Sequence, residues 1–372
     1  MLLRAICALI LSGILVAGLW PFHRPKNEVS WSANNDGLLF GKYGSIVSAA
    51  PFGASTWQTN DSCSIEILLR PRRANASGTI FASYWPENRV IPFALRQSLG
   101  DLELLHRSDD LLHHAKSAKL YVDNLFLSRQ WPVLATISTG QSGTTIYADG
   151  TLVKKAPNFR FSSQELTGQL VIGNAPTTTD NWSGQLMGLA LYDRELTADD
   201  VSQHYQYWKY EQASLAESEG MVGLYLFDEG KGSVVHNQVG PATDLVIPDR
   251  FFVLHEQFLE RPWSEFRSDW NYWKDVGINI VGFIPLGFFF CAYFSLKQTT
   301  KWVLASAVAF GLAISLTIEI LQAFLPTRDS GITDLITNTL GTALGAILYA
   351  GVARHHRFAP AGGKVPPLSE EM

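Results

Sequence analysis

The sequence predicts a membrane bundle of four transmembrane helices joined to an all-β sandwich outside the bilayer. Three observations carry this. Residues 5–22, 277–296, 302–325 and 331–352 are apolar stretches near the roughly 20 residues a helix needs to cross the hydrocarbon core. Between the first two lies a series of short alternating runs broken by turn residues, the pattern of antiparallel strands. Charged residues make up 17% of the chain, below the ~25% usual for soluble domains, and the deficit falls in residues 1–22 and 277–353.

The net charge is -5 and no long basic run occurs, so nothing marks nucleic acid as a partner. Of three cysteines, Cys7 and Cys291 lie in apolar runs and leave Cys63 alone. A disulfide within the sandwich and a tetrathiolate zinc site are both excluded.

Residues 1–22 are read as an N-terminal signal anchor. A cleaved signal peptide would end in a small-x-small site, and Trp20-Pro21-Phe22 is not one. The last three spans are joined by residues 297–301 and 326–330, links short enough to force antiparallel neighbours. Lys297 and Lys301 bracket one link, and Arg354 and Arg357 follow the last span. Both places are expected on the cytoplasmic side. Arg328 and residues 23–275 then face outward, and residues 354–372 form a disordered cytoplasmic tail.

Residues 23–248 carry the strands. Ser64 to Pro71, Gly78 to Tyr84, Gln169 to Gly173 and Gln185 to Tyr192 alternate, and Thr145 to Val153 reads as two strands around Asp149-Gly150, a strong hairpin signal. One short helix is expected, with Thr197 as cap, Asp200 completing a capping box, and Val201 and Tyr205 on one face. The order "GLLFGKYGSIVSA", "SIEILLRP", "TIYADGTLV", "LVIGN" and "GLALYDRELTADDVSQHY" resembles a concanavalin A-like, laminin-G-like jelly roll. A segment that usually opens such domains, Gly223 to Gly232, here follows the sandwich. The scaffold hosts lectins, glycosidases and adhesion modules, so the resemblance implies a glycan or protein ligand.

No E-x-D-x-x-E run places paired carboxylates on one strand face. Asp109-Asp110 and Asp199-Asp200 are adjacent, so their side chains diverge. His106, His113 and His114 lack a carboxylate at ligand spacing, and no metal site is assigned to them. No cofactor is called for. Calcium through Asn34, Asn35 and Asp36, or through Asp180 and Asn181, fits this fold, and turn chemistry explains the same residues.

Residues 249–276 are read as an interfacial linker. Trp263, Phe266, Trp270 and Trp273 recur at spacings of three, four and three, a single aromatic stripe if helical, suited to the bilayer surface.

The membrane spans hold polar residues. Asn279 precedes Gly282, Pro285 and Gly287. Glu319 and Gln322 share one helix face, as do Asp334 and Asn338, with Gly341 and Gly345 continuing the latter. Ionisable groups in lipid face a bundle interior or water and mark function. The alternative is hydrogen-bond glue, worth about 0.6 kcal/mol per bond. Arg328 is expected at the mouth of the cluster as a counter-ion.

"NIVGFIPLGFFF", "SLTIEILQAFLPTR" and "DLITNTLGTALG" resemble the VanZ-like membrane family, with the sandwich inserted between first and second spans. The resemblance implies a bacterial envelope protein of the cytoplasmic membrane, linked by name to glycopeptide-antibiotic resistance. Asn279, Glu319, Gln322, Arg328, Asp334 and Asn338 are the positions that match its polar signature. Beside the lipid bilayer, the partners it implies are an envelope glycan, a lipid-linked precursor or an envelope protein. Two other readings stay open: an enzyme acting on lipid-linked glycan with Glu319 or Asp334 as general base, and an adhesion module on an inert anchor.

Overall fold

The structure is a computed structural model. It describes residues 1–53, 55, 57, 61–107, 117–128, 132–240, 242–256, 258–266, 270–296, 300–328 and 330–358, with backbone alone at 117, 264, 265, 271, 300, 301 and 356–358. Asp109, Asp110, His113, His114, Lys297 and the tail from 359 therefore lie outside the described residues.

The chain begins with α1 (Leu2–Leu19), β1 (Val29–Trp31), β2 (Leu38–Phe40), β3 (Ile46–Ser48), β4 (Cys63–Pro71) and β5 (Ser77–Tyr84). Next come β6 (Phe93–Ser98), β7 (Asp101–Arg107), β8 (Ser117–Val122), the single turn α2 (Leu125–Ser128), β9 (Val133–Gly140) and β10 (Gly143–Ala148). β11 (Thr151–Ala156), β12 (Gln169–Ile172), β13 (Gly184–Tyr192), α3 (Ala198–Tyr210), β14 (Met221–Tyr225), β15 (Val234–Val235) and β16 (Leu245–Val246) follow. Last are α4 (Pro262–Glu265), α5 (Trp270–Phe294), α6 (Thr300–Gln322) and α7 (Ile332–Phe358). These elements form two compact units, residues 24–256 and residues 1–23 with 257–372.

Residues 24–256 form an antiparallel sandwich. One sheet has the order β1-β2-β13-β4-β9-β10-β11, and the other β15-β16-β3-β12-β5-β6-β7-β8. Alternate residues of both sheets point inward, and Ile65, Ile67, Phe81, Phe93, Leu102, Ile137, Ile146 and Leu189 form the core between them. β10 and β11 join as expected around Asp149 and Gly150, whose φ values of 52° and 75° are those of a type I′ turn.

The late segment from 221 finds its place in the first sheet. β4 pairs along all of β13, from Gly184 to Tyr192. The other edge of β13 is shared: β2 takes Gly184 to Leu186 and β14 takes Leu189 to Tyr192. The sandwich also runs further than residue 248. Phe251 is fully buried and packs on Tyr43, its N–H donates to Pro25 O at 3.0 Å, and Leu254 N–H donates to Pro176 O at 2.8 Å. Residues 249–256 are thus sandwich rather than linker.

α3 lies on the outer face of the first sheet. Thr197 and Asp200 cap it reciprocally, and Val201, His204 and Trp208 are its buried face. Tyr205 is half-buried. Trp208 sits on Gly188, where a Cβ would meet the indole at 2.1 Å. β4 is consequently buried on both faces, so Ser64 and Glu66, the polar members of its alternation, are covered as well.

Arg194 grips Asp200 through Nη1 and Nη2, at 2.8 and 3.1 Å. That guanidinium, helped by Thr197 and opposed by partial burial, holds the Asp200 carboxyl far below the usual range. The folded state thus favours the charged form. Its contribution is complete above the unfolded aspartate value, about 3.9, and is lost as pH falls from there toward the folded value. The urea midpoint of the sandwich should drop as pH falls below about 4, and less steeply in Asp200→Asn. Parallel pH profiles for the two proteins would refute this.

In the second unit, four helices are long and apolar enough to cross a membrane: α1, and Tyr272–Phe294, Trp302–Gln322 and Ile332–His355 within α5, α6 and α7. α1 stops at Leu19 rather than continuing to residue 22, because Trp20 precedes a proline and is extended, with ψ 133°. α5 and α7 exceed their apolar stretches at residues 270–276 and 353–358, since helical hydrogen bonding does not stop where lipid ends.

The aromatic stripe is not one helix. Phe266 leaves the helical conformation at ψ 119°, closing α4 after one turn. Trp263 and Phe266 are therefore on a different element from Trp270 and Trp273, although the Phe266 ring stands edge-on to Tyr272 and Trp273. All four aromatic residues of the stripe are exposed.

α5 and α7 touch backbone to backbone. A Cβ at Gly341 would stand 2.2 Å from Ile280 O, one at Gly345 2.0 Å from Ile284 O, and one at Gly287 1.9 Å from Thr342 O. Gly282 differs, since nothing lies within 4 Å of its Cβ position. α5 runs on through Pro285.

Candidate functional site

The C-terminal ends of α1 and α6 meet the N-terminal parts of α5 and α7 around a cavity of about 680 Å³. Asn279, Glu319, Gln322, Arg328, Asp334 and Asn338 all line it. Helical spacing brings each pair to one face, and the close α5–α7 approach at Gly341 brings the faces together.

Each polar residue also ties helices. Asn279 Nδ2 donates to Asp334 Oδ1 at 2.8 Å, joining α5 to α7. Glu319 Oε2 accepts the Gly331 N–H at 2.9 Å, just before α7 begins. Asn338 Nδ2 donates to Ser315 Oγ at 3.0 Å, and Gln322 Nε2 donates to Gly18 O at 2.8 Å. Arg328 is placed differently from the expected counter-ion. Its Nε and Nη2 donate to Trp20 O at 3.0 and 2.7 Å, and Nη2 also to Ala17 O at 3.2 Å. It caps the last carbonyls of α1, which a helix leaves without partners.

Glue does not account for every atom. Gln322 and Asn338 are 7% and 4% exposed, and Gln322 Oε1, Asn338 Oδ1 and Thr327 Oγ1 are buried without a hydrogen-bond partner among the described residues. A buried polar atom left so costs about 1–3 kcal/mol, a cost that a water or a ligand group there would offset. Glu319 and Asp334 each commit a carboxylate oxygen to a donor fixed by the fold.

Sequence reasoning missed Glu260, Asp275, Tyr272 and Thr327 in the lining. Asp275 was legible, four residues before Asn279 and so on its face. Glu260 was not. It arrives because its N–H donates to Ser330 O at 2.9 Å and it bridges to Gly331, a pairing between distant segments.

The sandwich holds polar clusters of its own. His106 Nδ1 lies 3.0 Å from Glu165 Oε1, with Phe159 edge-on to the ring. Thr79, Arg96, Glu103 and Tyr121 are successive cross-strand neighbours over β5 to β8. Burial opposes ionisation of Glu103, but Tyr121, Lys119 and Arg96 together hold its carboxyl below the usual value. Of the calcium candidates, Asp180 Oδ2 already accepts from Thr79 Oγ1 at 2.6 Å and Arg96 Nε at 3.0 Å, and a guanidinium stands where a cation would. Asp36 Oδ1 accepts from Gln185 at 2.8 Å. Among the described residues, no three His, Cys, Asp or Glu side chains gather as metal ligands.

Comparison with known proteins agrees with this architecture. The VanZ/LLP1 family model matches residues 221–354, and that of the Concanavalin A-like lectin/glucanases superfamily matches residues 42–202. No curated protein matches the chain. Solved structures that align with it include a Bacteroides ovatus protein proposed to bind carbohydrate, at 14% identity over 63% of each chain and TM-score 0.38. Another is the receptor binding domain of botulinum neurotoxin D, at 13% identity over 49% of this chain and 46% of that one, TM-score 0.35. The botulinum neurotoxin serotype G binding domain aligns at 16% identity over 46% and 40%, TM-score 0.30. The chain thus spans less than two thirds of each. It is a membrane protein in which a VanZ-like helical region accompanies a concanavalin A-like sandwich.

Proposed function

We propose that this protein works in the bacterial cytoplasmic membrane, with its sandwich on the extracytoplasmic side and the head group of a lipid-linked or amphiphilic envelope molecule in the bundle cavity. The sandwich, in this reading, binds an envelope glycan or protein. The observation that carries it is the cavity at one end of the bundle, lined by polar residues of α5, α6, α7 and the loop before α7, with two buried amide oxygens left unpartnered. Chain direction supports the side. Residues 24–256 depart after the C-terminal end of α1 and return before the N-terminal end of α5, the ends that carry the cavity. Arg354 lies in the last turns of α7, at the opposite end, as a cytoplasmic flank requires. A part in glycopeptide resistance would follow from capture of the antibiotic or its lipid-linked target.

Two measurements test this. Reporter fusions should place Glu165 outside, and Gln298 and the C-terminus inside. A cytoplasmic Glu165 would overturn the topology. Native mass spectrometry of the full chain extracted from a bacterial membrane should show a co-purifying amphiphile. The adduct should fall about tenfold in Gln322→Leu. A wild-type protein that carries none, even after incubation with total envelope lipid, would sink the cavity reading.

A further inference from the structure

We infer that the bundle cavity selects a head group bearing positive charge and hydrogen-bond donors, such as a primary ammonium, over a phosphate. The inference rests on the amphiphile reading and narrows its chemistry.

The unmet hydrogen-bonding capacity is that of acceptors. Gln322 Nε2 faces Gly18 O, a backbone carbonyl that can only accept. The orientation of the amide is thereby set, and the atom without a partner is the oxygen Oε1. Asn338 has Nδ2 on Ser315 Oγ and Oδ1 unpartnered, although a hydroxyl both donates and accepts, so the fixed orientation is that of Gln322. Both side chains are more than nine-tenths buried, at 7% and 4% exposure. A donor from the ligand satisfies these oxygens, whereas a phosphate oxygen repels them.

Charge points the same way. Glu260, Asp275, Glu319 and Asp334 line the cavity, and among the described lining residues the one guanidinium is that of Arg328. Its Nε and Nη2 are turned to the carbonyls of Ala17 and Trp20. A helix N-terminus is the usual place for an anion, but Glu319 Oε2 already receives the Gly331 N–H at the start of α7. The C-terminal ends of α1 and α6 meet the N-terminal parts of α5 and α7 here, so the helix dipoles offset one another and the carboxylates set the sign. A phosphate would enter a site with four carboxylates and a guanidinium whose Nε and Nη2 are engaged by α1, while an ammonium meets acceptors and compensating charge.

The test uses the full-length protein in neutral maltoside micelles, with dodecylammonium and dodecyl phosphate competing in native mass spectrometry. Dodecylammonium should bind at least about tenfold more tightly. Gln322→Leu and Asn338→Leu should each weaken it by about tenfold. Asp275→Asn, at an exposed position, should weaken it by about threefold and leave the fold intact, which keeps the test decisive if the buried variants misfold. Phosphate binding as tight as ammonium binding, and sensitive to these substitutions, would overturn the inference and leave the amphiphile site standing. If neither probe binds, or no substitution alters binding, inference and amphiphile reading fail together.

Discussion

Glu66→Ala should cost the sandwich about 3–5 kcal/mol, the expected effect of breaking a buried charged network. Glu66 is fully buried on β4, beneath α3. Its Oε2 accepts from Tyr192 Oη at 2.8 Å and Trp208 Nε1 at 2.9 Å. Its Oε1 accepts from Thr136 Oγ1 at 3.3 Å and lies 3.2 Å from His204 Nδ1. The Tyr192 and His204 rings stack at 5.2 Å. Burial of Tyr192, followed by the nearby Glu66 charge, pushes the Tyr192 hydroxyl well above its ordinary value, so it stays a donor. Alanine would leave these donors buried without their acceptor, in a domain whose whole stability is expected at about 5–15 kcal/mol. Urea unfolding of residues 24–256 reads the effect directly. A loss under about 1 kcal/mol would mean that water replaces the carboxylate and that the network is not what docks α3.

Gly345→Leu should separate α5 from α7. The added Cβ would stand 2.0 Å from Ile284 O and 2.8 Å from Phe288 N. Both are backbone atoms, so no side-chain rotation relieves the clash. Overpacking among side chains costs about 1–3 kcal/mol, and a backbone contact gives way less. The variant should melt well below the wild type in detergent and expose α7 to protease. Gly351→Leu is the matched control, because nothing lies within 4 Å of its Cβ position. Equal melting of the two variants would show that the α5–α7 contact is not close-packed in the bilayer.

The α5–α7 contact marks how far pattern carries. Small residues at 341 and 345 announce a close approach, and both deliver it. Gly282, grouped with Gly287 by the motif, faces open space because it lies beside the cavity. A run of glycines does not say which of them has a neighbour. The aromatic spacing from 263 to 273 failed for a related reason. Period identifies a face only if the helix is continuous, and Phe266 turns out of it.

Local signals that need only adjacent residues came through intact. Asp149-Gly150 turns between β10 and β11, Thr197 and Asp200 cap α3, and Pro21 halts α1. The expense of polar groups in lipid likewise marks Asn279, Glu319, Gln322, Asp334 and Asn338, and these residues line one cavity. Their partners had no such signal. Gly18 stands 304 positions from Gln322 and Trp20 308 from Arg328, so the sequence offers Arg328 to two carboxylates and a helix end alike. The folded chain turns it to the helix end. Glu66 was hidden for the same reason, as one carboxylate in an apolar strand whose donors lie 70 to 142 residues away. What a segment buries is written in its own periodicity, but which donor reaches which acceptor is set at ångström range between residues far apart in the chain, and only the packed helices and sheets fix that distance.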